Sequence, residues 1–161
     1  MKRVSIFILL ALSCWSAFTW AGADLVVVDK SERQMTLLSQ GEVIAAYAIS
    51  LGGSPKGHKA QEGDQRTPEG NYVLDYKNEA SSYYRSMHIS YPNEADKARA
   101  EQRGVSPGGF IMVHGQRNGF GFLSPIMQRF DWTEGCIAIS NDDMDEFMRL
   151  VAPDTSIEIN W

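Results

Sequence analysis

Residues 110–115 read Phe-Ile-Met-Val-His-Gly, and residues 133–139 read Thr-Glu-Gly-Cys-Ile-Ala-Ile. The apolar run 110–113 predicts a short β-strand that leads into His114, which is a rigid place to mount a proton acceptor. In the second stretch, Gly135 allows a sharp turn before Cys136, so backbone N–H groups there are expected to face an oxyanion. These two stretches carry the strongest signal in the chain.

The pairing of a cysteine with a histidine is the chemistry that these stretches suggest. A cysteine thiol has an ordinary pKa of about 8.5, so it is mostly protonated at neutral pH and needs a base before it attacks a carbonyl. A histidine within hydrogen-bond reach takes that proton and later returns it to a leaving amine. His114 and Cys136 lie 22 residues apart in the chain, and a structural histidine is the alternative interpretation of His114.

The composition bounds the class of protein. The chain has 161 residues, a net charge of −5, 43% hydrophobic residues and two cysteines. This length fits one domain. An acidic balance without a basic block argues against nucleic-acid binding, and two cysteines cannot build a disulfide-rich scaffold. No interior apolar run is long enough to span a bilayer, so a membrane role is expected only for the N-terminal segment.

Residues 1–23 have the features of a secretory signal peptide. Lys2 and Arg3 precede an apolar run that ends in Ala21-Gly22-Ala23. This pattern predicts cleavage after Ala23, with Ala21 as the other candidate, and export of residues 24–161 to the periplasm as a soluble domain. The alternatives are a retained membrane anchor, a buried first helix and lipidation of Cys14.

Removal of that segment changes the net charge to −7 and leaves Cys136 as the only cysteine. Exported proteins usually pair their cysteines or avoid them, because an unpaired thiol is easily oxidised. The retention of one unpaired thiol therefore favours a use for it, with an inert buried cysteine as the alternative.

The rest of the chain predicts one mostly-β domain with two or three short helices. Runs of β-branched and apolar residues predict strands, and capped amphipathic or alanine-rich stretches predict helices. A glycine-rich loop is expected over residues 52–70. The predicted strands cover residues 25–29, 34–39, 42–50, 71–76, 87–91, 110–113 and 155–161, and the predicted helices cover 94–103 and 142–151.

Three motifs in this order resemble the L,D-transpeptidase (YkuD-type) catalytic domain family. They are His-Gly at the end of an apolar strand, Thr-x-Gly-Cys further along the chain, and an upstream Thr67-Pro68-Glu69-Gly70 that leads into a strand. The likeness covers residues 25–161. It implies a single L,D-transpeptidase-like domain, mostly β, with a sandwich or barrel-like architecture.

Finer details resemble the YafK-like subgroup of this family. They are Gly57-His58-Lys59, Glu62-Gly63-Asp64, the run His88 to Asn93, and Asp131-Trp132-Thr133. The chain also departs from the commoner pattern Ser-His-Gly-Cys-Ile-Arg, because Glu134 replaces the histidine and Ala138 replaces the arginine. These positions help to shape the substrate region in the family, so the departures bear on the choice of acceptor.

The resemblance implies acyl transfer on peptidoglycan without a metal or organic cofactor. Cys136 would attack the carbonyl of the third residue of a tetrapeptide stem, and His114 would move the proton. The Gly115 carbonyl would orient His114, and Gly135 would lie in the oxyanion region. An amine of a second stem or of a protein would resolve the thioester. Resolution by water would make the same site a hydrolase, able to release a wall-linked lipoprotein.

Several other residues are expected to contact the substrate. Arginine pairs bidentately with carboxylates, and the two arginines predicted to bind a substrate carboxylate are Arg117 and Arg85. The other predicted substrate contacts are His58, Trp132 and Thr133. Two alternatives of different classes remain at this point. One is a peptidoglycan-binding module without catalysis, and the other is a zinc peptidase that uses His58, His88 or His114, or a zinc site at His58, Glu62 and Asp64.

Overall fold

The computed structural model describes residues 22–161, which fold around one eight-stranded sheet of strand order β3-β2-β1-β8-β4-β5-β6-β7. The strands are β1 (Ala23–Asp29), β2 (Gln34–Ser39), β3 (Glu42–Ala48), β4 (Gly70–Asn78), β5 (Ser86–Ile89), β6 (Met112–His114), β7 (Ile137–Ala138) and β8 (Val151–Asn160). The helices are α1 (Glu94–Gln102), α2 (Ser124–Met127) and α3 (Asn141–Leu150), with a 3-10 turn at Gly121–Leu123.

The predicted fold class is confirmed, since the domain is mostly β with three short helices. Residues 1–21 of the predicted signal peptide, including Cys14, lie outside the described residues. Within residues 22–161, no helix has the length and apolar character that a membrane span requires. The sequence missed α2 and β7, because four residues and two residues are too short to show a periodicity.

The core lies between the sheet and α3. Ser140 caps this helix by accepting a hydrogen bond from the Asp143 N–H at 3.1 Å, and the acidic first turn suits the helix dipole. Met144 and Phe147 on its inner face are fully buried, as are Ile157 and Ile159 of β8. Helix α3 is therefore amphipathic, and its apolar stripe closes one side of the sheet.

The edge of the sheet brings His114 and Cys136 close together. Strand β6 pairs with β7 in parallel, with Val113 opposite Ile137 and His114 opposite Ala138. Side chains alternate along a strand, and paired residues point to the same side of a sheet. Cys136, which precedes β7 and is two residues from Ala138, therefore shares a face with His114.

A buried lysine fastens the long loop that joins β3 to β4. Lys30 has no exposed surface, and its Nζ donates hydrogen bonds of 2.9 Å to the Gly57 carbonyl, the Thr67 carbonyl and Glu69 Oε1. Burial lowers the pKa of this ammonium, while the Glu69 carboxylate opposes the shift. The side chain of Lys30, which directly follows β1, thus joins two distant points of the loop.

We expect Lys30→Ala to lower the free energy of unfolding by about 3 kcal/mol, because it leaves a partly buried carboxylate and two carbonyls without their donor. Urea unfolding followed by tryptophan fluorescence measures this loss. Lys56→Ala is the matched control, since Lys56 is exposed on the same loop. An equal effect of both substitutions would contradict the role of Lys30 in holding the loop.

Candidate active site

Cys136 and His114 line a single cleft of about 490 Å³. Strands β5 and β6, the loop after β4 and the turn before β7 build its walls. The other residues that line it are Asn78, Ser81, Ser82, Tyr83, Ser86, Phe110, Met112, Trp132, Thr133 and Glu134. The fold thus brings together the two side chains that the sequence singled out.

His114 is held by a backbone hydrogen bond and by two aromatic rings. Its Nδ1 lies 2.6 Å from the Gly115 carbonyl oxygen, which can only accept, so Nδ1 carries the proton and Nε2 is left as the acceptor. The ring centroids of Tyr83 and Trp132 lie 4.7 and 5.7 Å from that of the imidazole. Gly115 itself has no room for a side chain, because a Cβ there would meet Asn141 Oδ1 at 2.7 Å.

The imidazole of His114 is neutral at neutral pH. Only 5% of this residue is exposed, and burial lowers its pKa to about 4, although the hydrogen bond to the Gly115 carbonyl opposes the shift. A neutral imidazole with a free Nε2 is the form that accepts a proton. His114 is therefore in the form that accepts a proton, and its hydrogen-bond partner is the Gly115 carbonyl and not an acidic side chain.

The thiol of Cys136 is engaged with the backbone of the neighbouring strand. Its Sγ accepts a hydrogen bond from the Met112 N–H at 3.4 Å, and the S–H donates to the Phe110 carbonyl at 3.7 Å. Burial raises the pKa of this thiol, while the Met112 N–H and the charge of Lys59 act in the opposite direction. In the resting site both reactive groups are therefore neutral.

A tight turn fixes Cys136. The Thr133 hydroxyl donates to the Cys136 carbonyl at 2.7 Å and accepts from the Gly135 N–H at 3.1 Å. Gly135 has a φ of 124°, and a Cβ there would lie 2.6 Å from the Arg66 carbonyl, so glycine is required. The Gly135 N–H is bonded within the turn, and the place of this residue in the oxyanion region stays a prediction. The Thr133 hydroxyl is likewise hydrogen-bonded within this turn.

The five predicted substrate contacts lie in different places. Trp132 and Thr133 line the cleft, and Trp132 also lines a second cavity of about 310 Å³ that contains Arg117. Arg85 and His58 are not brought to the cleft. Arg85 pairs with Glu79 and Asp145 at 2.6 and 2.8 Å, which satisfies its guanidinium.

The loop residues considered as metal ligands are committed to other partners. His58 Nε2 lies 3.1 Å from Asp96 Oδ1, and Asp64 Oδ1 lies 2.8 Å from Lys59 Nζ. Burial opposes the charged form of Asp64, but hydrogen bonds from Lys59 and from backbone N–H groups outweigh it and lower its pKa. Within residues 22–161, no three His, Cys, Asp or Glu side chains are grouped to hold a metal ion.

Sequence reasoning missed Tyr83, Met112 and Phe110 as parts of the site. Tyr83 lies in a loop whose sequence has no periodicity. Met112 and Phe110 contact Cys136 through backbone atoms, which every residue type has, so the sequence does not point to them. Phe110 has a φ of 55°, which is unusual for a bulky residue, and 79% of it is exposed at the cleft.

Comparisons with known proteins agree with this geometry. Residues 23–159 match the family model of the L,D-transpeptidase catalytic domain, named YkuD. YafK of Escherichia coli is 26% identical over 133 residues, which are 78% of this chain and 46% of YafK, so the chain spans about half the length of that relative. The structure is similar to the helical cell shape determining protein Pgp2 from Campylobacter jejuni, with a TM-score of 0.65 and 24% identity over 87% of this chain and 48% of Pgp2. It is also similar to L,D-transpeptidase 1 of Mycobacterium tuberculosis, with a TM-score of 0.54 and 16% identity over 87% of this chain and 62% of that one.

We expect the His114 imidazole to titrate near pH 4 in the folded protein. The chain has only three histidines, so NMR titration of their ring protons, with His114→Gln for assignment, measures this value directly. Between the ordinary value near 6.5 and about 4, the unfolded chain binds a proton that the folded chain does not. This residue therefore makes the free energy of unfolding fall by about 3 kcal/mol as pH falls through that range. A His114 titration near 6.5 would contradict the neutral buried imidazole.

We expect alkylation of Cys136 by iodoacetamide to rise steadily with pH and to be slower at neutral pH than that of a free cysteine. The reason is that burial raises the pKa of the thiol, so little thiolate is present. Quantifying the modified peptide by mass spectrometry between about pH 6 and about pH 10 tests this. A fast rate that is constant below neutral pH, and lost in His114→Gln, would instead indicate a thiolate–imidazolium pair.

Proposed function

The chain belongs to the family of L,D-transpeptidase catalytic domains, and on that premise we propose that it is an exported cysteine enzyme that transfers acyl groups of peptidoglycan stem peptides. The observation that supports this most directly is the shared cleft of Cys136 and His114, with His114 Nδ1 bonded to the Gly115 carbonyl. The predicted signal peptide supports a periplasmic location, where this polymer lies.

In the first half-reaction, the acyl group of the donor stem is transferred to Cys136. The S–H proton moves to His114 Nε2 as the sulfur forms a bond to the carbonyl carbon of the third stem residue. The tetrahedral intermediate collapses, the bond to the terminal D-alanine breaks, and its amine leaves with the proton that His114 returns. The products are a thioester on Cys136 and free D-alanine.

The neutral resting state decides how this step works. Because both groups are uncharged before the reaction, His114 acts as a general base during the attack and not as a partner in a preformed ion pair. The Met112 N–H points at the sulfur and stabilises the negative charge that develops there. The Tyr83 and Trp132 rings keep water from the imidazole and hold its orientation.

In the second half-reaction an amine attacks the thioester carbonyl and His114 takes the amine proton. The C–S bond then breaks, and the leaving sulfur takes that proton from His114, which regenerates the Cys136 thiol. The amine belongs to a second stem or to a protein lysine. The hydrolase that resolves the same thioester with water is the second candidate, and a wall-linked lipoprotein is its substrate. Both begin with the attack of Cys136 on the carbonyl of the third stem residue. The leaving amine is D-alanine in the transfer reaction and the amine of the lipoprotein in the hydrolysis, so the products distinguish the two.

The test is mass spectrometry of the products after the purified protein is mixed with tetrapeptide muropeptides or with lipoprotein-linked muropeptides. We expect loss of terminal D-alanine and new stem-to-stem or stem-to-amine adducts. Cys136→Ala should abolish product, and His114→Gln should slow acylation by about 10²- to 10⁴-fold, the usual contribution of a general base.

His88→Gln is the matched control, because His88 is bonded to Asp75 at 2.7 Å and does not line the cleft. Release of the lipoprotein fragment without adducts would assign the hydrolase. Substrates left intact by the wild type and by Cys136→Ala alike would contradict both enzymes and favour a binding module.

A further inference from the structure

The active-site cleft contains a single charged side chain among its described lining residues, and that side chain is Glu134. Its neighbours in the cleft are serines, an asparagine, a threonine and apolar or aromatic groups, and His114 is neutral there. Glu134 is therefore the one formal charge at the wall of the cleft among the described residues, while Lys59 acts on Cys136 from outside that wall. A cleft of this kind favours a positively charged ligand group.

The Glu134 carboxylate is not satisfied by the protein. The side chain is exposed, and its one hydrogen bond in residues 22–161 is a long one of 3.5 Å from Gln65 Nε2. No described lysine, arginine or histidine nitrogen lies within 4.0 Å of it, although the domain forms such pairs at many other carboxylates. An unpaired carboxylate beside a nucleophile has capacity for a ligand.

Its position relative to the thiol is fixed. Glu134 lies between Thr133 and Gly135, whose side chain and N–H close the turn that ends at Cys136. The Gly135 backbone packs on the Arg66 carbonyl, so this turn cannot shift without moving the loop. One residue, Gly135, lies between Glu134 and Cys136, so their Cα atoms are at most about 7 Å apart.

We propose that Glu134 binds a side-chain ammonium group of the residue whose carbonyl Cys136 attacks, and that it selects donors with a free diamino acid at that position. A diamino acid carries its second amine at the end of a short alkyl chain, whose length is comparable with the limit of about 7 Å on the separation of the Cys136 and Glu134 Cα atoms. This inference rests on the proposed function and adds the recognition element of the donor.

The chemistry favours a donor ammonium over the attacking amine. An acceptor amine must be uncharged to attack the thioester, and a neighbouring carboxylate would hold it in the protonated form. The ammonium that Glu134 binds is therefore one that does not react. This assigns a purpose to the residue that replaces a histidine of the commoner motif.

The test compares two donor tetrapeptides that differ only in the charge of the third residue, lysine against Nε-acetyl-lysine. Release of terminal D-alanine gives kcat/KM for the wild type, Glu134→Gln and the control Glu158→Gln, which removes one exposed carboxylate from β8. We expect kcat/KM of the wild type and of the control to be about 5- to 10-fold higher for the lysine donor. This is the effect expected when the ligand forms one ion pair with a solvent-exposed carboxylate. In Glu134→Gln this preference should fall to near unity, chiefly through KM, and in the wild type it should weaken with added salt.

Acylation of Cys136 by a carbapenem, read as a mass increase, reports the thiol without use of either peptide. Equal use of the two donors by the wild type, or an unchanged preference in Glu134→Gln, would overturn the inference alone. If the wild type reacts with the carbapenem but releases D-alanine from neither donor, the proposed function fails and the inference fails with it.

Discussion

The parallel pairing of β6 with β7 is the constraint on which the site depends. Its two registered pairs, Val113 with Ile137 and His114 with Ala138, join segments that lie far apart in the chain. Both aliphatic side chains of the first pair are fully buried, so the core holds the register. A slip of one residue would turn Cys136 or His114 to the opposite face of the sheet and separate the reactive groups.

Burial at this edge also sets the chemistry. Desolvation favours the neutral forms of both the imidazole and the thiol. Little thiolate is then present for reaction, but the sulfur is also less easily oxidised. Backbone atoms, not charged side chains, are the hydrogen-bond partners of both groups. The Gly115 carbonyl contacts the His114 ring, and the Met112 N–H faces the Cys136 sulfur. The charge that remains, on Glu134, lies where solvent and ligands reach it.

The sequence predicts the long elements well and singles out two side chains that the fold brings into one cleft, but it does not show the contacts between distant segments. Strand β2 and helix α1 were predicted nearly to the residue, because their polar and apolar patterns are local. Arg85 was expected at the substrate, but its partners Glu79 and Asp145 come together only through the fold. Gly135 was expected to allow a sharp turn, but the hydrogen bond from its N–H to the Thr133 hydroxyl within that turn could not be read from the sequence. Residue type shows which interactions a side chain can form, and only the folded structure shows which of them are already made within the protein.

Tyr83 and Trp132 line both the cleft and the cavity of Arg117, and the His114 ring packs against both of them. A wall that two cavities share makes their occupancies interdependent, since a ligand that moves either ring in one cavity reshapes the other. Linkage requires that the resulting change in affinity be the same in both directions. A ligand that moves either ring in one cavity therefore changes the affinity of the other cavity, whichever of the two is filled first.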